Sequence, residues 1–547
     1  MTGTGSGTSR RHFLKASIAA LGATALPKRM AFGQAGAKYI RHNATSEAGK
    51  RALDSYAKGV EAMLKLPPEH PQNWFRNAFI HLMDCPHGNW WFYVWHRGYL
   101  GYFEQTIRSL SGDNEFAMPY WDWTQLPQIP DQMFEGALNP QDARFEPYTR
   151  NLSAFTSFIQ PALKKYWQNL KFDQVGQLKK RGYTQFDKMW NDVTGLDPKQ
   201  KAGISGNISY ATTCASRYLT RDNPKLDEKT TYDVSPFIIY SGLLPVDFYN
   251  SDITESFNSS KTQSHNTPPA GPDSFSVLEG FPHNKVHNYI GGVGPLDPGP
   301  YGNMTNFLSP VDPVFFLHHS NMDRLWDVWT RKQKSLGLPY LPVGQDWDTY
   351  SREPFLFYVN GKGEYVGPSS AGDYVSMEKF DYEYEPGFGE DVIKPAPPAL
   401  LKKPPVALSR GTVKANRAQV ALPGAAVKNH LAQEGGAAMR AQVTVARPGP
   451  DAIAREFDII VGAPPDVTEV GADSPYYAGT IAFFGKMASM TGMESDVTFS
   501  VPLPRKPQAF HGLGAAAANV SVEIRLVPTQ GPQEGVTPLK AVNVRAQ

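Results

Sequence analysis

The sequence predicts a mainly α-helical domain joined through a Pro-rich linker to a smaller β-sandwich-like domain. Between Tyr39 and Glu390 aromatic residues recur at helical spacing, whereas beyond Glu390 short apolar runs are separated by Gly, Pro and Asp turns. The stretch Lys394 to Pro405 between the two is rich in Pro, Lys and Ala, the composition of an extended connection. With 547 residues, 41% hydrophobic and 19% charged, the chain can bury a large core in more than one domain.

The first helix runs from Trp74-Phe75 through Met83 and the second from Trp90 to Leu110, where Trp91, Trp95, Gly98-Tyr99 and Tyr102-Phe103 share a face. Val286 to Tyr289 lies in a short helix closed by Gly291-Gly292. Phe315 to Thr330 forms a fourth, with Asp312-Pro313 as its start signal. Ser251 to Phe275 is too rich in Ser, Thr, Asn and Pro for regular structure. The strand-like runs are Gln442 to Ala446, Glu456 to Val461, Tyr476 to Phe484, Val497 to Val501, Val520 to Val527 and Leu539 to Val544. The expected boundaries are a helical domain over 38–390, a linker over 391–430 and a β-domain over 431–547.

The first forty residues read as an address. Ser9-Arg10-Arg11-His12-Phe13-Leu14-Lys15 precedes the apolar stretch Ala16 to Leu26 and the small-residue run Ala35-Gly36-Ala37. The apolar stretch is too short to span a bilayer. The segment resembles twin-arginine export signals, which implies a leader over 1–37, the twin-arginine translocation machinery as partner and a periplasmic or secreted product. No other segment is apolar enough to suggest membrane insertion. Lys plus Arg (54) nearly balances Asp plus Glu (52), so nothing points to nucleic acid or an anionic membrane. Two cysteines, Cys85 and Cys214, exclude a disulfide framework beyond a single bond.

Seven of the 13 histidines fall in two regions: His81, His87 and His96, then His283, His287, His318 and His319. A lone histidine on an apolar helix is usually core. Two clusters within aromatic segments ask for more. His283 and His287, four apart, project from one helical face and can converge on one metal. Three neutral imidazoles per metal suit copper, zinc or iron, and spacing does not choose among them.

A resemblance to a known family does choose. Trp95-His96-Arg97-Gly98-Tyr99-Leu100, Pro119-Tyr120-Trp121-Asp122-Trp123, His283-Asn284-Lys285-Val286-His287 and the run from Asp312-Pro313 through His318-His319 to Trp326 resemble the tyrosinase and catechol oxidase family over roughly Trp74 to Thr330. The resemblance implies a four-helix bundle holding two copper ions. His81, His87 and His96 would bind copper A, and His283, His287 and His319 copper B. His318 would stand just outside the ligand set, with Phe315 packed over copper B. Cys85, two residues before His87, matches a Cys-x-His that forms a thioether in fungal tyrosinases and molluscan haemocyanins. Glu279 and Asn284 resemble a pair that holds a water as base for monophenols. Asp323, one turn after His319, could pair with Arg324 or orient a ligand.

The implied activity is O2-dependent oxidation of small phenols: ortho-hydroxylation of monophenols and oxidation of o-diphenols to o-quinones. A catechol oxidase alone, a haemocyanin-like O2 carrier and a zinc protein are the alternatives. Tyr382 and Tyr384 resemble the Tyr-x-Tyr that closes the catalytic domain of polyphenol oxidases. The β-domain is expected to shield the site, with Met487 to Met493 as one candidate plug.

Overall fold

The computed structural model describes residues 37–194, 217–269, 271–297, 301–393, 409–448, 454–485, 496–513, 518–530 and 538–546. The expected leader (apart from Ala37), Cys214, most of the Pro-rich connection and the Met487 to Met493 loop lie outside them. Tyr39–Gln547 forms one compact unit.

Four helices supply the frame of the first domain besides the opening α1 (Glu47–Lys65). They are α2 (Trp74–Asp84), α3 (Phe92–Ser111), α4 (Asn284–Ile290) and α5 (Val314–Ser335). Each begins or ends on a readable signal. Asn73 caps α2 by accepting from the N–H groups of Phe75 and Arg76, and Gly112 ends α3 in a left-handed conformation (φ 76°). Asp312 accepts from the Val314 N–H at the head of α5, and the Arg217 guanidinium pairs with the same carboxylate. Every residue of α2 is buried, as is α5 from Val314 through Trp329, so these helices form the middle of the core rather than its skin. The helices expected at 74–83, 90–110, 286–289 and 315–330 stand within a few residues of those bounds. A π-turn, Glu279–His283, precedes α4 and contains Pro282, whose missing N–H suits a widened turn.

The domain is closed by a two-stranded parallel pair, β1 (Tyr39–Arg41) with β3 (Tyr382–Tyr384). Buried Arg41 reaches Glu104 and Asp323 from it, and Asp323 also pairs with Arg97 and accepts from the hydroxyls of Tyr382 and Tyr384. The Tyr-x-Tyr thus closes the bundle by tying its last strand to α5.

The second domain is two five-stranded sheets. One has the order β9-β8-β11-β6-β5, from strands β5 (Thr412–Lys414), β6 (Arg417–Pro423), β8 (Glu456–Val461), β9 (Tyr477–Ala482) and β11 (Asn519–Pro528). The other has the order β2-β10-β7-β12-β4, from β2 (Asp273–Phe275), β4 (Ser409–Arg410), β7 (Met439–Val445), β10 (Val497–Pro502) and β12 (Leu539–Ala546). Inward-facing Val420, Val443, Ile459, Val501, Val522 and Val542 share one core. The linker expected over 391–430 is therefore too long: its second half holds strands β5 and β6 and the start of a helix, Gly424–Ala432. In β6 Ala418, Val420 and Leu422 alternate inward against outward Arg417, Gln419 and Ala421, so the segment buries one face. Strand β2 comes from the helical domain and adds in parallel to the edge of β10, with Phe275 opposite Phe499. The stretch Ser251 to Phe275, expected to lack regular structure, therefore ends in a strand, and the two domains share a sheet.

Candidate metal centre

Six imidazoles converge between α2, α3, α4 and α5. His81 lies on α2, His96 on α3, His87 in the turn between them, His283 at the end of the π-turn, His287 on α4 and His319 on α5. Ring centroids within the first three are 5.3–5.5 Å apart, and within the second three 4.6–5.4 Å. The sets meet face to face, with His96 stacked on His319 at 4.1 Å. Five of the six are all but inaccessible, and His87 is half-buried.

Hydrogen bonds on the far nitrogen fix the tautomers. Nδ1 of His81, His96 and His287 donates to the carbonyls of Phe307, Phe92 and Met304 at 2.7–2.8 Å. Nδ1 of His283 is held by Asn284 Oδ1 at 2.8 Å. Each of these rings therefore presents an Nε2 lone pair inward. Burial, first of all, pulls His96 and His283 down to about 3, and holds His81, His287 and His319 well below the usual range with help from mutual repulsion. The rings are neutral, as ligands must be. Nε2 of His87 and of His283 is buried without a partner, Nε2 of His81 and His96 lie 3.4 Å apart, and Nε2 of His287 and His319 lie 3.1 Å apart. Clustered inward lone pairs without protein donors are what cations between the rings would satisfy.

The neighbours sort the remaining expectations. Phe315 packs on His319 at 4.2 Å and on His81 at 4.9 Å, so it bridges the two sets. His318 faces Trp123 at 4.8 Å with neither ring nitrogen bonded, and its ligand atom lies within 4.8 Å of those of His283, His287 and His319. Cys85 Sγ is 3.4 Å from His87 Nδ1, and the Arg181 guanidinium donates to the Cys85 carbonyl at 2.7 Å. Asp323 neither pairs with Arg324 nor touches a histidine. Arg41 and Arg97 reach it from opposite sides and hold it, while Arg324 is paired with Asp122 at 3.7 Å. The Arg324 pairing expected for it is thus replaced by two other arginines, and its charge also acts on His96.

Glu279 and Asn284 lie beside the centre, and their side chains bond other partners rather than each other. The Glu279 carboxylate accepts from the Gly88 N–H at 2.6 Å and the Ser259 hydroxyl at 2.5 Å, and burial raises it to about 8 against those bonds. The Asn284 amide spans His283 and the carbonyl of Ala482 in β9, at 2.9 Å.

Sequence reasoning missed Phe484. Two residues past the end of β9, its ring lies 4.2 Å from His287, 4.9 Å from His87 and 5.5 Å from His283, and 5.4 Å from Phe307. The next residue lets it approach: Gly485 has φ 63°, and a Cβ there would lie 2.4 Å from the Phe307 ring. The available signal was Phe483-Phe484, since adjacent residues of a strand face opposite sides and only one can enter the sheet core.

A helical bundle with two facing sets of three neutral imidazoles defines a binuclear, histidine-only metal centre. Residues 62–332 match the family model of the common central domain of tyrosinase, so this part of the chain carries that domain. Polyphenol oxidase II, chloroplastic, of Ipomoea batatas is 24% identical over 352 residues, which is 61% of this chain and 48% of that one. Tyrosinase HcTyr1 of a Hahella strain is 25% identical over 318 residues, 57% and 50% of the two chains. The chain thus spans about half the length of the curated relatives it matches. A solved latent aurone synthase, described as a polyphenol oxidase, superposes with a TM-score of 0.54 at 19% identity over 96% of this chain and 93% of that one. That fold likeness extends through the β-domain. The cofactor of the family is a pair of copper ions, and the imidazole set fits it. Among the described residues no helix is long and apolar enough to cross a membrane.

Proposed function

We propose that this chain is a copper-dependent phenol oxidase whose folded form is closed by its own β-domain. His81, His87 and His96 hold one copper, and His283, His287 and His319 the other. The observation that carries this reading is the convergence of inward Nε2 lone pairs, two of them buried without a partner, in a cleft walled by Phe92, Phe307 and Phe315. When bound, the copper pair supplies O2 binding and the two-electron oxidation of a phenolic substrate to its quinone. The protein's part is to fix six rings, exclude water and present apolar walls to an aromatic ring.

For monophenols, Glu279 and Asn284 flank the position from which a phenolic proton must leave, and a water between them would receive it. Cys85 stands close enough to His87 for a thioether that would lock the one ring lying on a loop. Phe484 occupies the space among His87, His283 and His287 where a substrate ring would stack, so catechols reach the coppers only when it withdraws. The leader suits export through the twin-arginine machinery to the periplasm or medium after the metal is loaded.

The test is copper content with oxygen uptake on 4-tert-butylcatechol. The loaded chain should carry two coppers and consume O2 once mild detergent is added. A loaded, soluble chain that takes up no O2 under any opening condition would leave it an O2 carrier or a structural metal protein.

A further inference from the structure

The last residue of β9 and the two that follow it make three different contacts with the segment that carries His283 and His287. The carbonyl of Ala482 accepts from Asn284 Nδ2 at 2.9 Å, the carbonyl of Phe483 accepts from Asn288 Nδ2 at 3.3 Å, and the ring of Phe484 enters the centre. Glu456, opposite Ala482 in the β8–β9 ladder, clamps the same helix by pairing with Lys285 at 2.5 Å and accepting from Asn288 at 3.0 Å. All four polar partners are buried.

Only one of these contacts blocks entry. The Ala482 bond acts on something else. A planar amide with its oxygen on His283 and one of its two N–H groups on Ala482 is held at both ends and cannot turn, so its plane is set by the strand. Glu279, meanwhile, is occupied by Gly88 and Ser259. We propose that Ala482 governs which phenols the opened site accepts: while its carbonyl holds Asn284, the amide cannot join Glu279 around a water, and the site oxidises catechols but hydroxylates monophenols poorly. This rests on the reading of Glu279 and Asn284 given above and extends it. Access and proton removal become two separable locks on one strand.

The locks can be opened one at a time in the full chain. Phe484→Ala removes the ring and leaves the Ala482 bond in place. Adding Glu456→Gln sets an amide against the Lys285 ammonium and loosens the β8–β9 end without changing bulk. Each copper-loaded variant is assayed on 4-tert-butylphenol and 4-tert-butylcatechol, and with 4-nitrophenol, whose bound anion is visible by its colour. The double variant should show a monophenol-to-catechol rate ratio at least about tenfold above that of Phe484→Ala, equivalent to about 1.4 kcal/mol, and should bind 4-nitrophenol more fully as the anion. If the double variant misfolds, mild detergent on Phe484→Ala tests the same step and should raise the same ratio. Equal ratios and equal ionisation of 4-nitrophenol in both states, with catechol oxidised in each, would overturn this inference alone. Copper-replete variants that oxidise no catechol would overturn the oxidase reading beneath it.

Discussion

Replacing Phe484 by Ala in the full chain should raise catechol turnover about 30-fold. The ring packs against His87, His283, His287 and Phe307 but remains partly exposed. Truncating a fully buried Phe to Ala costs about 3–5 kcal/mol, so a half-buried ring contributes about 2 kcal/mol to the closed arrangement. A catechol needs the same space and must displace that packing before it can stack on the imidazoles. At about 1.4 kcal/mol per tenfold, closure suppresses the open population about 30-fold, and removing the ring restores it. Initial rates of O2 uptake at catechol well below saturation read this directly, with copper per chain measured on the same sample. The change should fall on kcat/KM, because closure is competition for a volume and leaves the bound metal untouched. A rise below about threefold, in a variant still holding two coppers, would refute the assignment of Phe484 as the obstruction.

Further outcomes follow from the other contacts of the site. His319→Ala should lose one copper per chain and all turnover, whereas His318→Phe should keep both coppers; the reverse, read by metal analysis, would exchange the roles of this pair. A tryptic peptide joining Cys85 to His87 should be short of two hydrogens after copper loading, and Cys85→Ser should abolish that mass difference; an unchanged wild-type mass would mean a free thiol. The buried His265 sits between Asp84 at 2.8 Å and Glu353 at 2.6 Å. Burial alone would strip its proton, but the two carboxylates prevail and raise it to about 9. A folded value above the unfolded one of about 6.5 gives stability that is full below pH ~6.5 and lost as pH rises through about 9. Over that window the loss is on the order of 3 kcal/mol. Denaturant melts of wild type and His265→Gln across it should converge toward the alkaline end; parallel curves would show that the imidazole is not charged in the folded chain.

The helices that hold the metal centre were legible because burial on all sides filled them with aromatics at helical spacing, from Trp74 in α2 to Trp329 in α5. The six candidate ligands were legible because histidine has little other reason to recur there. Contacts made across long sequence distance left weaker marks. Asp323 was read against its neighbour Arg324, yet its partners are Arg41 and Arg97, one at the far end of the domain. Strand β6 was read as linker because small Ala418 and Ala421 blur its alternation, although Val420 and Leu422 belong to the sheet core. Strand β2 is three residues inside a Ser-, Thr- and Pro-rich stretch and exists only because β10 offers an edge.

Strand β2 bears on how the chain keeps itself closed. Phe275 stacks on Phe499 at 5.1 Å, and four residues beyond it the π-turn begins that carries Glu279 and His283. The segment leading into the second metal set is therefore gripped by the β-domain at both ends, by β10 before it and by β8 and β9 along α4. Cutting the chain between Ile393 and Ser409 would sever neither grip, because both are made of hydrogen bonds and packing rather than of the covalent connection. Cleavage there should consequently leave the fragments associated and catechol turnover low, until detergent or a loosened β9 lets Phe484 out. Size-exclusion chromatography of the nicked, copper-loaded protein tests this beside the O2 electrode. Co-elution with low turnover is expected, and prompt separation into an active helical fragment would show that the tether, not the shared sheet, maintains closure.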